Sequence, residues 1–160
     1  MAVEDMFSRF RLDGKRVLIT GASSGFGAHF AQLLSAAGAE VILAARRADK
    51  LAELQQQLRA EGRMASSVSM DVSSRESVGA AFDQIGACDI VINNAGIIVR
   101  EGLDSAKVAE NLAKTLDVNV MGTFHPTHAF LPALRATRGV IINRASIAAS
   151  IGIPNVVGYS

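Results

Sequence analysis

The feature that most constrains this chain is a glycine-rich turn, Thr-Gly-Ala-Ser-Ser-Gly-Phe-Gly, at residues 20–27. It follows an apolar, strand-like run at residues 16–19 and leads into a helix-like run at residues 28–34. Glycine permits positive φ angles and close approach of the backbone. A helix N-terminus offers free N–H groups and a partial positive charge to an anion. The strand–turn–helix context therefore predicts a phosphate-binding site, and the alternative is a tight βα turn without a ligand.

Composition excludes several classes of protein. The 160 residues are 49% hydrophobic with a formal net charge of +1, which indicates one folded domain and argues against disorder and against a nucleic-acid partner. The single cysteine, Cys88, excludes an internal disulfide. Residues 1–7 carry two acids and no signal-like apolar stretch, and no segment approaches the about 20 apolar residues of a membrane span. We expect a cytoplasmic protein with no membrane partner, in which residues 1–13 form a polar lead-in along the outside of the fold.

Short apolar runs alternate with helical patterns along the chain. The runs predict strands at residues 17–20, 40–44, 65–70, 89–92 and 139–143. Runs that are apolar on both faces are typical of a parallel sheet covered by helices on each side. With right-handed crossovers, the pattern predicts a doubly wound α/β fold with strand order 3-2-1-4-5. The ligand crevice of such a sheet lies at the carboxyl ends of strands 1 and 4, beside the glycine-rich turn.

The segments between these runs read as helices. The patterns predict helices at residues 25–37 and 50–61, each followed by glycine, and a third helix after a capping-box sequence at residues 73–76. A longer helical region at residues 105–134 contains Pro126, which cannot donate to the carbonyl of Gly122. We therefore expect a kink or a break in that helix between Gly122 and Pro126.

The end of strand 2 bears on which dinucleotide would bind. An acid at this place binds the 2′-hydroxyl of the adenosine ribose, whereas an arginine accommodates a 2′-phosphate. Here the strand is followed by Arg46 and Arg47, and the expected acid is missing. The sequence thus favours NADP(H) over NAD(H), the alternative being a solvated basic turn. Asp71, directly after strand 3, fits either a contact to adenine or a turn before the next helix.

Four further features follow in order along the chain. Asn-Asn-Ala-Gly stands at residues 93–96, Asn119 lies in the long helical region, Ser146 follows strand 5, and Tyr159 comes thirteen residues later. Together with residues 20–27, these motifs resemble the short-chain dehydrogenase/reductase family over nearly the whole chain. The resemblance implies a Rossmann-like dinucleotide-binding domain over residues 1–160. It also implies hydride transfer between a nicotinamide cofactor and a small-molecule secondary alcohol or carbonyl, and assembly into homodimers or homotetramers.

The resemblance also assigns roles to individual residues. Ser146 positions the substrate oxygen, Tyr159 is the acid/base, and Asn119 anchors a water that continues the proton relay. The cofactor-binding residues are Gly21, Ser23, Ser24, Gly25, Phe26, Gly27, Arg46, Arg47, Asp71, Val72, Asn93, Asn94, Ala95 and Gly96. Within that set, Asn93 is expected to brace the central sheet, and Asn94 and Gly96 to line the adenosine ribose region.

The chemistry at the end of the chain departs from the family pattern. A free phenol has a pKa of about 10 and becomes a useful acid/base only beside positive charge. The family supplies that charge from a lysine four residues after the tyrosine, whereas this sequence stops at Ser160. We therefore expect a domain that is incomplete at its C-terminus and an isolated chain that is inactive and marginally soluble, with strand 5 as an exposed edge. A non-catalytic nucleotide-binding or interaction protein is the alternative.

Other polar residues carry no assigned chemistry. His29, His125 and His128 lack companions at metal-ligand spacing, so no metal site is predicted. Arg144, two residues before Ser146, is expected to face the cleft or its rim, where it would favour an acidic substrate or simply face solvent.

Overall fold

Five parallel strands form the centre of the structure, a computed structural model that describes residues 10–159. The strands are β1 (Arg16–Thr20), β2 (Glu40–Ala45), β3 (Ala65–Ser69), β4 (Ile90–Asn93) and β5 (Val140–Asn143). Their order in the sheet is β3-β2-β1-β4-β5, and every pairing is parallel. The predicted fold class, strand order and strand positions are confirmed, with strand ends shifted by one residue.

Helices connect the strands and cover both faces of the sheet. They are α1 (Gly25–Ala36), α2 (Ala48–Ala60), α3 (Arg75–Ile85), α4 (Val108–Leu116) and α5 (Gly122–Thr137), with a short 3₁₀ turn at Ile147–Ala149. Within residues 10–159, no helix is both long and apolar enough to cross a bilayer. The predicted polar lead-in falls largely on residues 1–9, which lie outside the described residues.

Alternate residues of the central strands enter two separate cores. Val17 and Ile19 of β1 pack with α1 and α2, whereas Leu18 packs with α3 and α5, and all three side chains are fully buried. Because both faces of β1 are covered, its sequence is apolar without alternation. This burial on both faces is the physical reason why the strands could be recognised from short apolar runs.

The start of α3 differs from the predicted capping box. Ser74, not Ser73, is the N-cap, and its hydroxyl accepts a hydrogen bond from the N–H of Ser77 at 3.1 Å. The hydroxyl of Ser73 instead donates to the carboxylate of Asp71 at 2.7 Å. The predicted capping box therefore starts one residue too early, because the Ser73 side chain is hydrogen-bonded to Asp71 and does not cap the helix.

The long helical region is interrupted at a different place from the one predicted. A single π-helical turn spans Asp117–Met121, and α5 then runs without a break through Pro126 and Pro132. The prediction of a break between Gly122 and Pro126 is therefore wrong in position. Gly122 caps the C-terminal end of the wider turn, and it is the residue whose carbonyl Pro126 leaves without a donor. A Cβ at Gly122 would lie 2.6 Å from Cγ2 of Val72, so glycine allows this helix to approach the end of β3.

Strand β5 is an edge of the sheet among residues 10–159, as predicted. Ile141 packs against the core that contains α5, whereas Val140 and Ile142 point to the opposite face and are 53% and 47% exposed. The half of β5 that faces the α1 side therefore has no cover in the described part of the chain.

Cys88 is buried just before β4 and is 1% exposed. Burial raises the pKa of its thiol to about 11. We expect Cys88 in the folded protein to resist a thiol-specific disulfide reagent at pH about 8, because the thiolate is the nucleophile. The thiol should react at once in denaturant. Rapid labelling of the native protein would contradict this burial.

Candidate functional site

A cleft of about 380 Å³ lies at the carboxyl ends of β1, β2 and β4. It contains most of the residues that the sequence assigned to a cofactor. The lining residues are Gly21, Ser23, Ser24, Gly25, Phe26, Ala45, Arg46, Arg47, Met70, Asp71, Val72, Asn94, Ala95, Gly96, Ile97, Val118 and Arg144. The cleft is thus at the place where the strand order reverses, as the topology predicts.

The glycine-rich turn forms the floor of this cleft. Gly21 has a φ of +66°, and a Cβ at this residue would lie 2.8 Å from Cα of Ala95. Gly25 also has a positive φ of +56° and begins α1, whose first turn contains no acidic residue. The backbone therefore approaches the loop after β4 closely and leaves the helix N-terminus free for an anion.

A buried hydrogen-bond network joins this turn to the loop after β4. The hydroxyl of Thr20 accepts from the backbone N–H groups of Asn94 and Ala95, each at 3.0 Å. In return, the side-chain amide of Asn94 donates to the carbonyl of Thr20 at 2.9 Å. Thr20 is fully buried and Asn94 is 6% exposed. These bonds hold the two loops that form the centre of the cleft in one fixed relation.

Two predicted cofactor residues lie behind the wall of the cleft. Gly27 is buried, and a Cβ there would lie 2.6 Å from the side-chain nitrogen of Asn94. Asn93 faces the other way, and its amide donates to Thr127 at 2.9 Å and to Asn143 at 2.8 Å. Asn93 thus connects β4 to β5 and α5.

Arg46 and Arg47 project from the end of β2 at one end of the cleft. The guanidinium of Arg47 donates to the hydroxyls of Ser23 at 2.9 Å and Ser24 at 2.7 Å. Neither arginine forms an ion pair with an acidic residue in the described range of 10–159. These contacts between Arg47 and the glycine-rich turn were not predicted from the sequence.

Asp71 serves the turn and also lines the cleft. Its carboxylate accepts from the backbone N–H of Ser73 at 3.0 Å and from the Ser73 hydroxyl. Partial burial by itself raises the pKa of Asp71, but the hydrogen bonds from Ser73 and the charge of Arg46 outweigh it, so that the pKa lies below its ordinary value. Both roles considered for this residue are thus compatible with its position.

Asn119 lies in the π-helical turn and binds backbone rather than another side chain. Its side-chain oxygen accepts from the N–H of Ile97 at 2.8 Å, and its amide donates to the carbonyl of Ile97 at 2.9 Å. This pair of bonds fastens the helical region to the segment that follows β4. Gly122 and Pro126 signalled an interruption of the helix, but the predicted position was five residues too late.

Ser146 and Tyr159 lie in the segment after β5. The hydroxyl of Ser146 accepts from the N–H of Ala148 at 3.2 Å, at the start of the 3₁₀ turn. The backbone N–H of Tyr159 donates to the carbonyl of Val156 at 2.9 Å, and the side chain is partly buried. No hydrogen bond joins Tyr159 to Ser146 or Asn119 within the described residues.

Two of the histidines considered as metal ligands make other contacts in the structure. No group of three or more histidine, cysteine or acidic side chains is placed to hold an ion within residues 10–159. His125 instead contacts the backbone oxygen of Val72 through Nδ1 at 3.0 Å, and His128 lies beside Phe124.

A doubly wound parallel sheet with a glycine-rich first turn is a Rossmann-like nucleotide-binding fold. The short chain dehydrogenase family profile matches residues 15–160, and the chain belongs to this family. A relative from Sinomonas cyclohexanicum, trans-4-hydroxycyclohexanecarboxylate dehydrogenase, is 38% identical over 160 residues, covering 94% of this chain and 61% of the relative.

Solved structures of the family show the same fold. A gluconate 5-dehydrogenase from Burkholderia cenocepacia J2315, in complex with NADP and tartrate, matches with a TM-score of 0.89 and 36% identity over 96% of this chain and 62% of that chain. A 7α-hydroxysteroid dehydrogenase complexed with NADH and 7-oxo glycochenodeoxycholic acid matches with a TM-score of 0.87 and 29% identity. The match covers 95% of this chain and 61% of that chain. The chain thus spans about 60% of the length of these relatives.

Proposed function

We propose that this protein is an NAD(P)-dependent oxidoreductase that interconverts a secondary alcohol and a carbonyl, with NADP(H) as the preferred cofactor. The observation that carries the proposal is the cleft, in which a glycine-rich turn, an adenine-side aspartate and two arginines meet at the switch point of the sheet. The relatives include one complex with NADP and one with NADH, so the preference rests on this chain's own residues.

The residues of the cleft fit a dinucleotide. Side chains at Gly21 or Gly27 would fill the space that brings the turn against Asn94 and Ala95. The free N-terminus of α1 would hold the diphosphate, and Asp71 and Val72 would lie along the adenine. A bound nicotinamide would supply the hydride acceptor or donor. The fit depends on close approach of the turn to the loop after β4, which a side chain at Gly21 or Gly27 would prevent.

The preference for NADP(H) follows from the arginines after β2. Arg47 is held against the turn by Ser23 and Ser24, and Arg46 lines the same cleft, where it would meet a phosphate on the adenosine ribose. Guanidinium groups bind phosphate through a fixed fork of N–H donors. We infer that this corner of the cleft recognises the 2′-phosphate.

Replacing both arginines with alanine, R46A/R47A, tests this preference. We expect the Kd for NADPH to rise roughly 10- to 100-fold, because charge-assisted hydrogen bonds contribute about 1.5–3 kcal/mol. The Kd for NADH should change by less than about two-fold on the same scale. Titration of nucleotide fluorescence measures both constants. Arg75→Ala, an exposed arginine at the start of α3, is the matched control.

An unchanged ratio of NADPH to NADH affinity in R46A/R47A would remove the argument for NADP(H). Equal weakening of both cofactors would show that the arginines only support the turn. Failure of the unaltered protein to bind either nucleotide would count against the whole proposal.

The proposed reaction assigns a task to each of three residues. Ser146 would orient the oxygen of the substrate, and Tyr159 would exchange a proton with that oxygen. Asn119, whose side chain is engaged by Ile97, would keep the helical region and the loop after β4 in place around the reacting groups. Proton exchange at the substrate oxygen is what the interconversion of an alcohol and a carbonyl requires.

One observation favours a non-catalytic nucleotide-binding protein instead. Tyr159 makes no hydrogen bond to Ser146 or Asn119 among residues 10–159, so the described contacts do not assemble a proton relay. Nucleotide binding without turnover of a hydroxy acid fits that alternative and equally the incomplete, inactive enzyme expected from the sequence. Turnover with NADP⁺ would exclude it.

Substrate and assembly are extensions of the same proposal. The substrates in the names of two relatives, trans-4-hydroxycyclohexanecarboxylate and gluconate, are hydroxy acids.

For assembly, we infer a homodimer or homotetramer. The exposed apolar side chains at four-residue spacing along α4, the π-helical turn and α5 supply a surface for it, namely Leu112, Leu116, Val120 and Phe124.

A further inference from the structure

Arg144 holds a defined place in the cleft that the proposed reaction does not use. Its backbone N–H donates to the carbonyl of Asn93 at 3.0 Å, which continues the pairing of β5 with β4 by one residue. Its guanidinium carbon lies 5.3 Å from the centre of the Phe26 ring, and Nη2 lies 3.4 Å from the carbonyl oxygen of Asn94. The guanidinium is therefore held by a cation–π contact with Phe26 and by a hydrogen bond to the carbonyl of Asn94.

The charge of Arg144 is not paired with an acidic side chain within residues 10–159. Nη2 is the one guanidinium nitrogen that meets a protein acceptor within residues 10–159. A guanidinium has five N–H donors in a planar fork, so one edge remains available for a carboxylate.

Arg144 meets the glycine-rich turn through a side chain and not through the groups that are expected to bind phosphate. It contacts the side chain of Phe26, whereas the phosphate-binding groups of the turn are backbone N–H groups. A Cβ at Gly96 would lie 3.3 Å from the side-chain oxygen of Asn119 and 3.7 Å from Nη2 of Arg144. Arg144 thus flanks Gly96 together with Asn119.

We propose that Arg144 is a specificity residue that selects substrates carrying a carboxylate near the reacting alcohol or carbonyl. The inference rests on the proposed function and names its substrate class. Arg144 stands two residues before Ser146 in the chain. An anionic group on the substrate would meet the guanidinium of Arg144 while the reacting oxygen of the substrate meets Ser146. An uncharged ketone or alcohol of the same shape would leave the guanidinium without an anion.

The test compares a carboxylate with its uncharged amide. The protein is saturated with NADP⁺ and titrated calorimetrically with trans-4-hydroxycyclohexanecarboxylate or trans-4-hydroxycyclohexanecarboxamide. The unaltered protein should bind the carboxylate roughly 10- to 100-fold more tightly, as expected for a charge-assisted pair. Arg144→Gln should bring the two Kd values within about two-fold of each other, and Arg144→Lys should restore part of the difference. Arg75→Gln is the matched control and should keep the full discrimination.

The Kd for NADP⁺ separates the two sources of negative charge. The proposal expects it to change less than about two-fold in Arg144→Gln. A rise of about ten-fold or more, with carboxylate discrimination intact, would assign Arg144 to the cofactor diphosphate and overturn the proposal. Equal binding of acid and amide by the unaltered protein would also overturn it. Loss of NADP⁺ binding by the unaltered protein would instead refute the proposed function, and circular dichroism verifies the fold of each variant.

Discussion

Alanine at Gly21 is expected to raise the Kd for NADPH at least about ten-fold, which corresponds to 1.4 kcal/mol. Gly21 has a φ of +66°, and a Cβ there would lie 2.8 Å from Cα and 3.1 Å from N of Ala95. Both neighbouring atoms belong to backbone, so no side chain can rotate away to relieve the contact. The turn must move off the loop after β4, and the phosphate-binding N–H groups move with it. Fluorescence titration with NADPH measures the loss.

Gly14→Ala is the matched control for this substitution. Gly14 also has a positive φ, +74°, but nothing lies within 4 Å of its Cβ position. Both variants carry the same conformational cost of about 1 kcal/mol, and Gly21→Ala alone adds the steric contact. Nucleotide affinity should therefore fall in one variant and persist in the other. Equal affinities would mean that the turn yields freely and that its close approach is not needed for binding.

Valine at Thr20 is expected to lower the free energy of unfolding by about 2–4 kcal/mol. Valine has the shape of threonine but lacks the hydroxyl oxygen, which accepts from the N–H groups of Asn94 and Ala95. Thr20 is fully buried, so water cannot replace the lost acceptor without a rearrangement. An unpaired buried donor costs about 1–3 kcal/mol. Urea denaturation gives the free energy, and the slope of the transition shows whether the unfolding remains comparable.

Thr20→Ser separates the hydroxyl from the methyl group. Serine keeps the acceptor and loses one methyl, which is expected to cost about 0.8 kcal/mol. The valine variant should therefore be the less stable of the two, and it should also bind NADPH more weakly because the loop after β4 lines the cleft. A valine variant as stable as the serine variant would show that the hydroxyl does not hold the two loops together.

The fold was predictable because its signals are local and repeated. Val17, Leu18 and Ile19 are apolar without alternation since each face of β1 is covered, and this pattern alone indicates a central parallel strand. The glycine-rich turn and the residues after β2 and β4 could be placed in one cleft because parallel strands bring their carboxyl ends to the same edge. Topology thus carried most of the information about the site.

Contacts between side chains far apart in the chain could not be predicted in the same way. Arg47 meets Ser23 and Ser24, and Arg144 meets Phe26, through rotamers that no local pattern encodes. The interruption of the long helix was predicted too late in the chain, because Pro126 marks which carbonyl loses its donor but not where the helix widens. Ser73 and Ser74 are adjacent alternatives for one cap, and the choice depends on Asp71.

The charges along the cleft have a consequence for how a ligand arrives. Its lining includes three arginines and one aspartate, an excess of two positive charges in a chain whose formal net charge is +1. The cleft is therefore a local concentration of positive charge. A polyanionic nucleotide approaching at random would be drawn toward the cleft over about 10 Å, the screening distance at 0.1 M salt. Capture would then slow as ionic strength rises, while the shape of the cleft stays the same.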